Sequence, residues 1–187
     1  SKARADDAAI INTCIACNQA CLDHTFQMKL TSCLVNPRAC HETEMVIEPA
    51  RHERRVAVVG AGPAGLSAAV TAGERGHEVV LFEAQSEVGG QFNFARRIPG
   101  KEEFDETLRY FNEKLVRCGV EVRLNTRATA EMLAEFDAVI LASGVKARTP
   151  DIEGVEAGIE RGQVLSYAEA ISAPERVGRR VALIGAG

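Results

Sequence analysis

The sequence has no apolar run approaching the roughly 20 residues of a membrane-spanning helix, and Ser1-Lys2-Ala3-Arg4-Ala5-Asp6-Asp7 lacks the apolar stretch of a secretory leader. A cytoplasmic protein with no membrane partner is expected. There is no excess of positive charge either: 22 Lys and Arg stand against 26 Asp and Glu, a formal charge of -4. That excludes broad electrostatic attraction to nucleic acid or an anionic bilayer, while leaving room for a small basic site. At 187 residues the chain is too short for a (β/α)₈ barrel, which takes about 250 residues. Trp is absent and aromatic residues make up only 5%. What is present, 46% hydrophobic and 26% charged residues, suits a globular protein with a core and not a disordered tail. The first residue is not Met, and Gly185-Ala186-Gly187 stands where a glycine-rich turn would continue, so both ends are expected to lie inside a longer chain.

Three sections follow one another. Residues 1–50 hold five of the six cysteines, with a short helix expected before Asn12-Thr13, a loop at Asn36-Pro37-Arg38 and a basic linker at Arg51–Arg55. Residues 51–147 then alternate strand and helix. Val56–Val59, Glu78–Phe82, Val120–Leu124 and Ala138–Ala142 read as strands, the last as a buried one; Ala64–Glu74 and Phe104–Cys118 read as helices, the latter from Phe104, Leu108, Phe111, Leu115 and Cys118 at helical spacing. In residues 148–187 Gly and Pro become frequent before a last apolar strand, Val181–Ile184. Val181–Gly187 looks like a second start of the motif Val56–Gly62. The fold class expected is α/β, a Rossmann-like parallel sheet preceded by a small cysteine-rich module.

Gly60-Ala61-Gly62-Pro63-Ala64-Gly65 fits G-x-G-x-x-G in the required context, with a strand before it, a helix after it and an acidic residue, Glu83, ending the next strand. Gly60 permits the tight turn, Gly62 lets backbone approach a pyrophosphate, and Gly65 allows close helix packing. The helix N-terminus offers N–H groups and a positive dipole end to phosphate. The Glu83 carboxylate suits adenosine ribose hydroxyls and repels the 2′-phosphate of NADP. Ala84, the turn Gly89-Gly90-Gln91 and the small-residue turn Ala142-Ser143-Gly144 are further candidate cofactor contacts.

Cys14, Cys17, Cys21 and Cys33 form C-x₂-C-x₃-C-x₁₁-C, four soft ligands within twenty residues. Zinc sites usually pair two close knuckles, whereas three near cysteines and one remote one suit a 4Fe-4S cluster. The cluster is favoured, and zinc stays open. Cys40 and His41 are spare ligands that read more simply as a small thiol and a polar loop residue. Cys118 reads as core, and His24, His52 and His77 as surface groups.

The order of fingerprint, Gly89-Gly90 turn and Ala142-Ser143-Gly144 turn resembles the two-dinucleotide-binding flavoproteins, with Ser143 where that superfamily carries Thr. Together with Cys14 to Cys33, Leu34–Glu42, Gly89–Asn93 and Ile98-Pro99-Gly100-Lys101, the whole chain is similar to the cluster-and-FAD region of the bacterial NADPH-dependent 2,4-dienoyl-CoA reductases. That family belongs with trimethylamine dehydrogenase and old-yellow-enzyme-like proteins. The resemblance implies hydride from NADPH to FAD, single electrons through a 4Fe-4S cluster on Cys14, Cys17, Cys21 and Cys33 to FMN, and reduction of a dienoyl-CoA in unsaturated fatty-acid β-oxidation. It implies FAD contacts at Gly60, Gly62, Gly65, Glu83, Gln91 and Ala142–Gly144. It places FMN, the thioester pocket and the catalytic acids in a barrel outside this chain, so no residue here is assigned a catalytic role. FAD is therefore expected to bind the isolated chain weakly and without turnover; tight stoichiometric flavin after gel filtration is the contrary result. The alternatives are a relative acting on an amine or an enoate, and a zinc-stabilised nucleotide-binding module.

Overall fold

A computed structural model describes residues 2–185, which fall into two compact units divided between Gly144 and Val145. The first unit contains a four-stranded parallel sheet in the order β3-β2-β1-β4, formed by β1 (Arg55–Val59), β2 (Glu78–Phe82), β3 (Glu121–Arg123) and β4 (Ala138–Leu141). Val56 pairs with Val79 on one side and with Ala138 on the other, so β1 lies between its sequence neighbour β2 and the late strand β4. That reversal of strand order makes the C-terminal end of β1 a topological switch point, where open α/β sheets place their ligands.

Helices α2 (Pro63–Glu74) and α4 (Phe104–Arg117) cover one sheet face, with α3 (Phe92–Ala95) between β2 and α4. The period-2 pattern of the strands decides the faces. Val56, Val58, Val79 and Leu81 meet Leu66, Val70, Leu108 and Leu115 in the main core. Ala57, Val80 and Phe82 point the other way, onto Phe136, Met132 and Leu133 around α5 (Ala130–Leu133). Phe82 and Phe136 meet edge to face with ring centres 5.9 Å apart.

Helix α4 shows how sequence spacing assigns its sides. Leu108 and Leu115, two turns apart, are buried in the core, while Glu106, Arg109, Glu113 and Arg117 run along another face. Gly119 follows at φ +66°, the left-handed stop expected after a helix.

The short helix expected before Asn12 is present in 3₁₀ form, as the two turns Ala3–Ala5 and Ala8–Ile10. Two expectations are corrected. Strand β4 is not buried: it is the edge of the sheet with β1 as its one neighbour, and Leu141 is 75% exposed. Its run of apolar residues on both faces read as an interior parallel strand. Val181–Ile184 forms no strand and pairs with none among the described residues, and Leu183 is 82% exposed. Ala186 and Gly187 of the second glycine start lie outside the described residues.

The cysteine region adds one short helix, α1 (Leu22–Phe26). The second unit holds α6 (Val155–Glu160) and α7 (Tyr167–Ser172), the latter opened by a capping box in which Ser166 and Glu169 exchange side-chain and backbone bonds.

Candidate functional site

The glycine fingerprint occupies the loop from β1 into α2 and is held from three directions. Gly60 donates its N–H to the Phe82 carbonyl at 2.8 Å, tying the turn to β2. Its φ of +101° and the Ala142 carbonyl, 2.4 Å from where a Cβ would sit, leave room for no side chain. Gly65 is tighter still, since an added Cβ would lie 1.8 Å from the Gly60 oxygen. Gly62 differs from both: nothing lies within 4 Å of its missing Cβ. The fingerprint thus divides into two glycines required by packing and one that faces open space.

Open space at Gly62 is where a ligand can come close. Gly62 is the N-cap of α2 and supplies no side-chain acceptor to the first-turn N–H groups, and Pro63 follows as the first helical residue. Donors without a protein cap at the start of a 12-residue helix are the arrangement that receives a phosphate. Pro63 and Ala64 are exposed at this edge.

Glu83 has two backbone partners. One carboxylate oxygen accepts the Ala61 N–H at 2.8 Å and the other accepts the Gln85 N–H at 2.9 Å, with the residue only 8% exposed. The acid therefore shapes the fingerprint loop itself, a role the sequence motif does not state. Each oxygen keeps a lone pair, so ribose hydroxyls can still be received there. Ala84, next to it, is exposed.

The Gly89-Gly90 turn packs onto the same loop. Gly89 donates to the Ala61 carbonyl at 2.7 Å, and a Cβ on Gly90 would stand 3.1 Å from the Gly62 Cα. Asn93, which sequence reasoning did not single out, locks this turn. It is buried, its Nδ2 donates to the Val88 carbonyl at 2.9 Å, and it fills the space a side chain on Gly89 would need. Its Oδ1 is buried without a protein partner. Gln91 is exposed as the N-cap of α3. On the other side, Ala142 donates to the Val59 carbonyl at 2.8 Å, bringing the Ala142-Ser143-Gly144 turn to Gly60. Gly60, Ala61, Gly62, Gly65, Glu83, Gly90 and Ala142 thus converge at one sheet edge, with Pro63, Ala64, Ala84, Gln91, Ser143 and Gly144 around it.

The cysteine loop is partly exposed, and none of its thiols is oxidised to a disulfide. Ile15 anchors it, at 5% exposure, while Ala16 and Asn18 take left-handed conformations at φ +53° and +57°. Such alternation turns successive N–H groups toward one side, a shape that receives anions, iron–sulfur centres among them. The Ala16 N–H donates to the Cys14 sulfur at 3.3 Å. The donor set and the loop shape suit a cluster. Among the described residues no group of three or more His, Cys, Asp or Glu side chains is arranged to hold a single metal ion. Cys40 is exposed and His41 pairs with Glu44 at 3.0 Å. Cys118 is half-buried against the core, where burial pushes its thiol pKa up. His77 accepts the Arg54 N–H at the entrance to β1.

A parallel sheet with a glycine cradle and an acidic residue at its switch point defines a dinucleotide-binding α/β domain of the flavoprotein type. The chain belongs to the pyridine nucleotide-disulphide oxidoreductase family, whose model matches residues 54–187. It is 34% identical over its whole length to a metal reductase of Desulforamulus reducens, covering 28% of that protein. It is 38% identical to a bilirubin reductase of Mediterraneibacter gnavus, again over its whole length, covering 29% of that protein. A solved 2-naphthoyl-CoA reductase in complex with 2-naphthoyl-CoA superposes with a TM-score of 0.86 at 34% identity, over 92% of this chain and 26% of that one. The chain thus spans less than a third of the length of each of these three proteins. No helix among the described residues is long and apolar enough to cross a membrane.

Proposed function

We propose that this chain is the FAD-binding and cluster-binding part of an NADPH-dependent flavin oxidoreductase that reduces a conjugated acyl-CoA thioester, with a 2,4-dienoyl-CoA as the substrate and β-oxidation of unsaturated fatty acids as the setting. The observation that carries the reading is the presence, in the compact unit ending at Gly144, of both a pyrophosphate cradle and a loop of closely spaced thiols. A two-electron carrier beside a one-electron carrier has a use in passing hydride equivalents to a distant acceptor. The likeness to 2-naphthoyl-CoA reductase supports a thioester acceptor.

In this reading Gly60–Gly65, Glu83, Ala84, Gly90, Gln91 and Ala142–Gly144 hold FAD, and Cys14, Cys17, Cys21 and Cys33 hold a 4Fe-4S cluster. FAD supplies two-electron exchange with a nicotinamide, and the cluster supplies single-electron carriage. The chain's own residues bind and orient. The open Cα of Gly62 admits the pyrophosphate, the first turn of α2 directs N–H groups at it, and Glu83 receives the ribose while fixing the Ala61 N–H. Residues 1–50, 51–147 and 148–187 then correspond to the cluster module, the first FAD segment and the start of an NAD(P)H-binding domain. FMN, the nicotinamide site and the thioester pocket belong to the remainder of the protein, which is cytoplasmic and engages neither nucleic acid nor membrane.

The test is anaerobic purification of the full-length protein followed by flavin, iron, sulfide and zinc analysis, then turnover with NADPH and a dienoyl-CoA. Four irons with matching sulfide, bound FAD and oxidation of NADPH by the thioester are the expected results. One zinc without iron overturns the electron path, and an iron-containing enzyme inert toward acyl-CoA overturns the substrate.

A further inference from the structure

The segment immediately before the first cysteine is strapped to one face of α4 by a set of polar bonds. Both η nitrogens of Arg117 donate to the Asp7 carboxylate, each at 2.7 Å. About two turns back along α4, Arg109 donates through Nη2 to the Ile11 carbonyl at 3.0 Å, through Nη1 to the Ala9 carbonyl at 2.5 Å, and through Nε to Glu106 Oε2 at 2.8 Å. The same Glu106 oxygen accepts the Thr13 hydroxyl at 3.4 Å. Cys14 is the next residue. On its other side α4 is seated on α2 through Leu108 and Leu115, which share a core with Leu66 and Val70, and α2 is capped at its start by Gly62. A continuous set of contacts therefore runs from the cysteine loop to the phosphate cradle, and its polar link is Arg109.

We propose that Arg109, oriented by Glu106, is a positioning residue for electron transfer: it fixes the cysteine loop on α4 and so sets the separation between the Cys14–Cys33 ligand set and the nucleotide site. The inference rests on the proposed electron path. Arg109 does this because its planar guanidinium presents donors in a rigid fork, enough to hold two carbonyls and a carboxylate together. The step it governs moves electrons only. The hydride that FAD would take from a nicotinamide carries two electrons, which would leave singly through a cluster held by Cys14, Cys17, Cys21 and Cys33 to FMN in the remainder of the protein, with the accompanying proton released to solvent; Arg109 takes no part in the proton transfer. The strap contributes no buried residue through its 3₁₀ turn Ala8–Ile10, so detaching it leaves the sheet and its core intact. An ångström-scale displacement of reacting partners costs on the order of 10²-fold in rate.

The experiment uses the full-length protein, wild type, Arg109→Ala and Arg109→Lys. Iron and sulfide content, the electron paramagnetic resonance spectrum of the dithionite-reduced protein, and the rates of flavin bleaching and of cluster reduction after mixing with NADPH are measured for each. Arg109→Ala is expected to keep its iron and its flavin-bleaching rate, and to reduce the cluster at least about tenfold more slowly than wild type, with an altered resonance spectrum. Arg109→Lys, which keeps the charge without the fork, is expected to fall between the two. Cluster reduction at the wild-type rate in Arg109→Ala overturns the positioning role. Loss of iron from both variants overturns it as well, since the strap then serves assembly; if only Arg109→Ala loses iron, the rate in Arg109→Lys decides. Absence of iron from the wild-type protein brings down the electron-path reading itself, which separates that failure from the other.

Discussion

Alanine at Gly62 and alanine at Gly65 should have opposite consequences, although the two glycines are three residues apart in one motif. At Gly65 the new Cβ would sit 1.8 Å from the Gly60 oxygen, so that oxygen would have to retreat by more than about 1 Å to reach ordinary contact. It cannot retreat freely, because the Gly60 N–H is bonded to the Phe82 carbonyl and the Ala142 backbone occupies the space beside Gly60 where a side chain would sit. Overpacking typically costs about 1–3 kcal/mol, and a backbone neighbour with no room to yield puts Gly65→Ala at or above the top of that range. For a chain of this size about 3 kcal/mol corresponds to a fall in Tm of roughly 6–12 °C. At Gly62, φ -73° and ψ 178° are open to any residue, and nothing stands within 4 Å. Alanine is a poorer N-cap than glycine but reduces the freedom of the unfolded chain. These opposed terms of about 0.5–1 kcal/mol leave stability nearly unchanged. The methyl group instead occupies the path of the pyrophosphate, so FAD affinity should fall by about tenfold or more, equivalent to about 1.4 kcal/mol. Circular-dichroism melting of the flavin-free chain and fluorescence titration with FAD read the two effects separately. A Gly62→Ala variant that melts as low as Gly65→Ala, or that binds FAD as wild type does, would refute the division between a packing glycine and an open one.

Glu83→Gln keeps one acceptor for the Ala61 and Gln85 N–H groups and turns a donor toward the other, leaving a backbone N–H unsatisfied beside a nearly buried side chain. Urea unfolding should show a loss of about 1–3 kcal/mol at constant m, together with weaker FAD binding; an unchanged midpoint would count against the structural role of the acid. The strap should also respond to acid. Hydrogen bonding from Arg117 holds the Asp7 carboxyl below the usual carboxylate range, so its contribution is present above the unfolded pKa of about 3.9 and is lost as pH falls through the depressed folded value. Carboxyl titration by NMR should place Asp7 below its free value, with protection of the Ile11 amide lost over the same interval; an ordinary midpoint for Asp7 would contradict this.

What was legible in the sequence is what depends on near neighbours. β1, α2 and β2 are each specified by local period and punctuation, and the strand Glu78–Phe82 appears with the boundaries its apolar run suggests. The fingerprint was legible for the same reason, since six consecutive residues with a flanking strand and helix define its geometry. Glu83 was legible as an acid at a strand end, but its bond to Ala61 joins residues 22 positions apart and has no local signature. Asn93 was missed for a similar reason: an Asn four residues after a glycine is common, and only the packing against Gly89 makes it matter. The exposure of β4 could not be read, because an apolar strand looks alike whether one neighbour or two flank it.

The strap marks the same boundary from the other side. Asp7 and Arg117 are 110 positions apart, and Ile11 and Arg109 are 98 apart, so neither pair leaves a trace in spacing or composition. Within α4, however, the spacing of Glu106, Arg109, Glu113 and Arg117 is that of one helix face, distinct from the buried face of Leu108 and Leu115. A charged stripe of this kind is ordinarily a solvated surface, and such pairs contribute little to stability when exposed. Here two of its arginines are spent on another part of the chain, and one of them on backbone carbonyls that have no charge of their own. Bonds of that sort fix a geometry more than they raise stability, and the geometry fixed is that of the residues leading into Cys14. The cradle, by contrast, is built by packing, with Gly60, Gly65 and Ala142 admitting no side chain between them. One compact unit thus holds its nucleotide edge by close contact and its cysteine loop by directional hydrogen bonds, and substitutions in the two should separate into effects on folding and effects on position.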